Sequence, residues 1–238
     1  MSLSPLQDHL ICKVAKAAPK SILINQSGSP IALPWIDDLD AILQCWYAGQ
    51  EVGNALADII SGEVSPSGGL PVTFPRAIED SPSFGSFPTD EKMEVRYAEG
   101  LEMGYRAYKP APLFLFGFGL SYAHFTITGL SLISNESSPF DIAVSTTITN
   151  DGPERGKEVV QVYVDGVLKG FRRVLLETGA SREVEIPLDK YAFNEWDPDR
   201  SSWVVVDRDY IIELRQDART TIASLPYKIE TRTFWNKS

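Results

Sequence analysis

From Ile127 onward, apolar residues recur with partial period-two alternation, in runs broken by tight-turn residues. An extended strand points successive side chains to opposite faces, so such a run has one face to bury and one to leave in water. The runs are ITGLSLIS, FDIAVSTTITN, KEVVQVYVDG, LKGFRRVLL, SREVEIPL and DYIIELRQ. Turn signals separate them at Asn150-Asp151-Gly152-Pro153, Asp165-Gly166 and Thr178-Gly179. About six or seven short strands over about a hundred residues predict a β-sandwich of immunoglobulin or fibronectin type III kind.

The half before Tyr122 follows another pattern. Leu10, Ile11, Val14 and Ala15 share one face of a helix over Gln7 to Ala18, with Ser4-Pro5 as its start and Pro19-Lys20 as its stop. Ser21 to Asn25 is a short apolar strand, suited to burial on both faces of a parallel sheet. Asp40 to Trp46 reads as a second strand and Gly49 to Gly62 as a helix. Leu70 to Pro75, LPVTFP, reads as a third strand. The alternation predicts an α/β unit with a mostly parallel sheet. Ile78 to Glu94, rich in Pro, Gly and Ser, reads as loop. Tyr97 to Phe125 is too irregular for one helix and too broken for one strand, and serves as a connector. The predicted domains are residues 1–121 and 122–238.

The chemistry is bounded by what is present. A net charge of -10 over 238 residues repels phosphate backbones and anionic lipid, so nucleic acid and membrane surfaces are excluded as partners. The first residues lack a basic leader and do not read as a secretory signal. Cys12 and Cys45 form no metal-ligand pattern. Asn25-Gln-Ser, Asn135-Glu-Ser and Asn236-Lys-Ser fit the glycosylation triplet, a weak signal. His9 and His124 are the two histidines, and both read as surface or packing residues. No G-x-S-x-G elbow, P-loop or dinucleotide fingerprint occurs. Gly28-Ser-Pro follows a strand, where α/β sheets place binding loops, but reads first as a strand exit. Glycoside chemistry uses paired carboxylates. Glu51, Glu63, Glu99 and Glu102 read as solvated or structural charges, with Glu99 the one set in an aromatic segment. Trp35, Trp46 and Tyr47 read as core, Trp196 and Trp203 as filling of the sandwich, and Asn54 and Asp58 as capping or surface groups.

Several segments in order resemble the C-terminal part of glycoside hydrolase family 3, the β-glucosidase family. They are Asn25-Gln-Ser-Gly-Ser-Pro-Ile with Leu33-Pro-Trp35, Trp46-Tyr-Ala-Gly-Gln-Glu51, and Gly62 to Gly68 followed by Leu70 to Pro75. Tyr97-Ala-Glu-Gly-Leu101 with Gly104-Tyr-Arg-Ala-Tyr108, and Phe116-Gly-Phe-Gly-Leu-Ser-Tyr122, continue the series. Leu168-Lys-Gly-Phe171 with Arg173-Val174, then Trp196, Trp203 and Val204, complete it. Ala48 and Phe118 stand where the family usually has proline and histidine. Asp165-Gly166 runs almost directly into the next strand where the family has a longer loop, which implies an altered or strained hairpin.

The resemblance implies an α/β sandwich domain leading through the aromatic connector into a fibronectin type III-like domain. It implies hydrolysis of terminal β-D-glucosyl residues in the complete enzyme, with a β-glucoside as substrate. The family's nucleophilic aspartate lies on a (β/α)8 barrel, and its acid/base glutamate in a loop before the first helix found here. Neither can be placed on this sequence, so no catalytic, cofactor-binding or metal-ligating residue is assigned. The chain alone is expected to be an inefficient β-glucosidase. Its barrel-facing surface is expected to be apolar, favouring a barrel partner or self-association. Secretion is the location that family analogy suggests. The alternative reading is a non-catalytic module that binds carbohydrate or a protein.

Overall fold

The computed structural model describes residues 1–87, 89, 91–108, 111–135 and 138–235. The chain divides into one unit of residues 1–61 and 70–116 and a second of residues 62–69 and 117–238.

The first unit begins with α1, Pro5–Ala17. Its start is written in the sequence. Ser4 sits in extended geometry, its Oγ accepts from the Gln7 amide at 3.4 Å, and the Gln7 side chain accepts from the Ser4 amide at 3.1 Å. This reciprocal box satisfies backbone donors that a helix start leaves orphaned, and Pro5 has no such donor to lose. Ile11 and Cys12 turn inward against Ile31, Leu33, Trp35 and Phe74. Trp35 is 2% exposed, and its indole N–H donates to Asp8 Oδ1 at 2.8 Å, tying α1 to this small core.

The strands β1, Ile22–Asn25, and β2, Ala41–Gln44, pair in parallel, with Ile22 opposite Ala41 and Asn25 opposite Gln44. Helix α2 follows at Val52–Ser61. The expectation of a mostly parallel sheet is not met. Among the described residues the parallel sheet is this one two-stranded pair, and the remaining sheets are antiparallel. LPVTFP does not become a strand. Pro71 and Pro75 have no amide to donate, which leaves a single antiparallel bridge between Phe74 and Phe114. Burial on both faces also fails, because Ile22 and Ile24 are exposed. The stripe of Leu6, Leu10 and Val14 along the outer face of α1 is exposed as well.

Within the connector, Gly104–Arg106 makes one 3-10 turn. Tyr105 stacks on Phe116 at 4.5 Å between ring centroids. The aromatic content of this stretch therefore supplies packing where regular hydrogen bonding is absent.

The second unit is the predicted β-sandwich with more strands than the alternation revealed. The strands β3 (Phe125–Asn135), β4 (Ser138–Asn150) and β7 (Ser181–Leu188) form one sheet. A second sheet runs in the order β11 (Thr221–Lys228), β10 (Asp209–Arg215), β5 (Gly156–Val164), β6 (Val167–Leu176). The short strands β8 (Asn194–Asp197), β9 (Ser202–Val205) and β12 (Thr233–Trp235) form a third. Val144, Ile148, Val160, Val162, Ile186 and Ile212 are buried between them.

The short β5–β6 hairpin is unstrained. Asp165 and Gly166 both take positive φ, 48° and 78°, the pattern of the two-residue turn whose twist matches its strands and which Asp-Gly favours. Asp165 also accepts from the Ile211 amide at 2.9 Å and pairs with Arg208 at 2.7 Å, which fastens the turn to β10.

Candidate functional site

The C-terminal ends of a parallel pair are where an α/β sheet presents loops to a ligand. Here β1 ends at Asn25, which is 8% exposed. Its side-chain amide donates to Gln44 Oε1 at 2.6 Å and to Ser27 Oγ at 3.0 Å. Gln44 donates back to the Ser27 carbonyl at 3.3 Å, and Ser27 Oγ donates to the Ser29 carbonyl at 2.8 Å. The network holds the Gly28-Ser-Pro loop against β2 and leaves the Asn25 amide committed. Asn25 is therefore unsuited as a glycosylation acceptor. The triplets at Asn135 and Asn236 extend into residues outside the described ones.

Beside this loop, Trp46 and Tyr47 part company. Trp46 takes a positive φ of 50° and packs its ring on Phe74 at 6.0 Å. Tyr47 is not core. It is 86% exposed, and its ring lies directly against Gly28. Glu51 accepts from the Asn54 side chain at 2.6 Å at the start of α2. The site thus offers amides, hydroxyls and one open aromatic face. These can bind a polyhydroxyl ligand, but they supply no nucleophile–base pair.

The other candidate carboxylates are placed apart from this loop's hydrogen bonds. Glu63 is exposed in the segment after α2, and Glu102 is exposed with its amide bonded to the half-buried Glu99 carbonyl at 3.0 Å. His9 is exposed on α1, and His124 is exposed and bonded to Asp151. That contact and a bond from Thr126 hold the Asp151 carboxyl below the usual range. Among the described residues no group of three or more His, Cys, Asp or Glu could hold a metal ion. None of the described helices is long and apolar enough to cross a membrane. Cys12 and Cys45 are free thiols, and burial pushes the Cys45 thiol up.

In the second unit, Pro66 to Gly69 and Gly117 to Ser121 enclose a cavity of about 30 Å³, enough for one water. Ser65 and Ser121 hydroxyls meet at 2.7 Å. A side chain at Gly119 would strike the Gly68 carbonyl, so the glycine there serves close backbone contact. Glu158 lines the cavity, and burial pushes its carboxyl up despite a bond from the Val159 amide at 2.7 Å. Sequence reasoning missed this glutamate, which alternation in KEVVQVYVDG places no differently from a solvated one.

Comparison with known proteins gives the lineage. Residues 1–122 match the glycosyl hydrolase family 3 C-terminal domain, and residues 158–218 match a fibronectin type III-like domain. The chain is 36% identical to the probable beta-glucosidase J of Neosartorya fischeri and 35% identical to beta-glucosidase B of Emericella nidulans. Those matches cover 99% and 96% of this chain but 30% of each relative. A beta-glucosidase from Kluyveromyces marxianus, solved in complex with glucose, superposes with a TM-score of 0.92 at 33% identity, over 99% of this chain and 30% of that one. Beta-glucosidase 3B from Thermotoga neapolitana, in complex with alpha-D-glucose, gives 0.89 at 31% identity, over 99% and 35%. The chain therefore spans about 30% of the length of the curated relatives it matches, and it belongs to glycoside hydrolase family 3 as that family's C-terminal part.

Proposed function

From that membership we propose that the chain is the C-terminal portion of a β-glucosidase that hydrolyses terminal non-reducing β-D-glucosyl residues. Residues 1–121 act as the C-terminal α/β domain with its connector, and residues 122–238 as the fibronectin type III-like brace. The observation that carries this reading is the match over nearly the whole chain to proteins named beta-glucosidase, at 36% identity.

The two carboxyl groups of a retaining glycosidase stand about 5–5.5 Å apart, one as nucleophile and one as proton donor. In this reading both come from polypeptide outside these 238 residues. The chain contributes a pocket wall through the open ring of Tyr47, which stacks on and orients the sugar, while Asn25, Ser27 and Gln44 hold the loop beneath it in place. Binding and orientation without the carboxylates yield no efficient turnover.

The test is hydrolysis of 4-nitrophenyl β-D-glucoside by the purified chain, alone and mixed with a separately produced polypeptide covering the remaining length of a family relative. The expected result is turnover in the mixture and none above background for the chain alone. Robust turnover by the chain alone contradicts the placement of the carboxylates, and silence in a mixture shown to associate contradicts the assignment.

A further inference from the structure

The third sheet of the second unit carries a row of tryptophans. Trp196 on β8 lies opposite Trp203 on β9, and Trp203 lies opposite Trp235 on β12. Residues directly opposite in antiparallel strands point to the same side of the sheet, so the three indoles share one face across strands about 4.8 Å apart. Trp196 and Trp203 pack edge to face at 5.3 Å. Trp235 continues the row to Tyr191 at 6.4 Å. Trp203 and Trp235 are half-buried, and Trp235 packs against the sandwich core. Its two ends are open, with Trp196 at 50% and Tyr191 at 52% exposure.

We propose that this aromatic strip is a glycan-binding surface, which takes an uncharged pyranose chain by stacking sugar rings on Trp196 and Tyr191. Three features select that chemistry. A pyranose presents a flat patch of polarised C–H groups, which suits the electron-rich face of an indole or phenol. The exposed large apolar residues of the strip are both aromatic, and each is anchored by a second ring, so stacking costs little side-chain entropy. Charge points the same way. By strand alternation the same-face neighbours of the row are Asn194, Val205 and Thr233, two of them uncharged hydrogen-bonding residues, while Glu195 and Asp197 fall on the other face. The Lys190 ammonium lies 5.0 Å from the Trp235 ring centroid and 5.3 Å from that of Tyr191. Lys169 donates to the Tyr191 carbonyl at 3.0 Å and Asp189 accepts from the Tyr191 amide at 2.8 Å, so a carboxylate stands among the cations at this end and leaves an anionic chain no unopposed basic cluster.

The inference rests on the glycosidase reading for the class of glycan. We commit to a β-linked glucan, bound as a chain rather than as a single sugar.

The test titrates the purified chain with cellohexaose, laminarin and, as an α-linked control, dextran, following intrinsic tryptophan fluorescence and retardation in glycan-containing native gels. The expected result is saturable binding of a β-glucan, roughly tenfold weaker in Trp196→Ala and weakened in Tyr191→Ala. Phe171→Ala, which removes an exposed aromatic elsewhere on the same unit, leaves binding unchanged. Unaltered melting of each variant shows that folding is kept. Binding that ignores both strip substitutions, or no binding of any glycan, overturns the proposal. So does self-association that Trp196→Ala abolishes, which would make the strip a contact between copies. Because the assay needs no hydrolysis, binding can survive a failed reconstitution, and reconstitution can succeed without binding.

Discussion

The two units bury apolar residues in opposite degrees. In the second, β4, β5 and β10 each send buried residues into one shared core, which includes Val144, Val162 and Ile212. In the first, the fully buried hydrophobic cluster is Ile31, Leu33, Trp35 and Phe74, and α2 buries no residue at all. A parallel sheet normally lies under helices on both faces. The β1–β2 pair instead exposes Ile22 and Ile24, and α1 exposes Leu10 at 61%. The difference teaches that the β-sandwich buries an extended core of its own, while the first unit leaves much of its apolar side-chain surface open.

The contrast can be broken at its strongest point. Ile212→Ala in the sandwich core should cost roughly 2–5 kcal/mol, measured by urea unfolding, because it removes buried methyl groups and leaves a cavity. Leu10→Ala on the exposed stripe of α1 should shift stability by no more than about 0.5 kcal/mol in the same experiment. Comparable losses for the two would show that α1's outer face is packed in solution. Gly119→Ala should cost about 1–3 kcal/mol, since the new methyl meets a backbone carbonyl that cannot rotate away. Ser4→Ala removes the helix cap and should cost about 1 kcal/mol, visible as loss of α1 helicity rather than of sandwich stability.

A smaller effect sharpens the contrast through pH. Burial raises the Glu158 carboxyl, so the folded chain holds that proton more tightly than the unfolded chain. Its favourable contribution is present below the ordinary glutamate range and is lost as pH rises through the folded value. Glu158→Gln should therefore raise the Tm at neutral pH, with the gain shrinking as pH falls. Asp151 has the opposite sign, and the stability from its lowered carboxyl should fade on acidification below the ordinary aspartate range. A Glu158→Gln gain that stays constant from pH 4 to 8, bounds set around the ordinary carboxylate range, would remove the carboxyl as its cause.

Much of this architecture was legible because it is governed by local rules. Ser4, Pro5 and Gln7 announce α1, and Asp165-Gly166 announces the β5–β6 turn even in its shortened form. Strands β8, β9 and β12 were not legible, since three or four residues carry too little alternation to detect. β11 contains Pro226, which marks an edge position, and it is the edge strand of its sheet. LPVTFP misled because apolar content outvoted two prolines. Tyr47 and Trp196 misled because apolar flanks do not tell which side of an element a ring leaves by. The network of Asn25, Ser27 and Gln44 could be suspected from polar residues at strand ends, but its closure depends on the parallel register, which sequence alone does not set. The carboxylates gave no sequence signal of a catalytic pair.

The most direct measurement is amide hydrogen exchange of the isolated chain at neutral pH, read by mass spectrometry. Exchange reports local opening free energies element by element. Exchange is expected to be slow in β4, β5 and β10, at the level of global unfolding, and faster by orders of magnitude in β1, β2 and α2. Equal protection in the two units would contradict the claim that the sandwich alone buries an extended core.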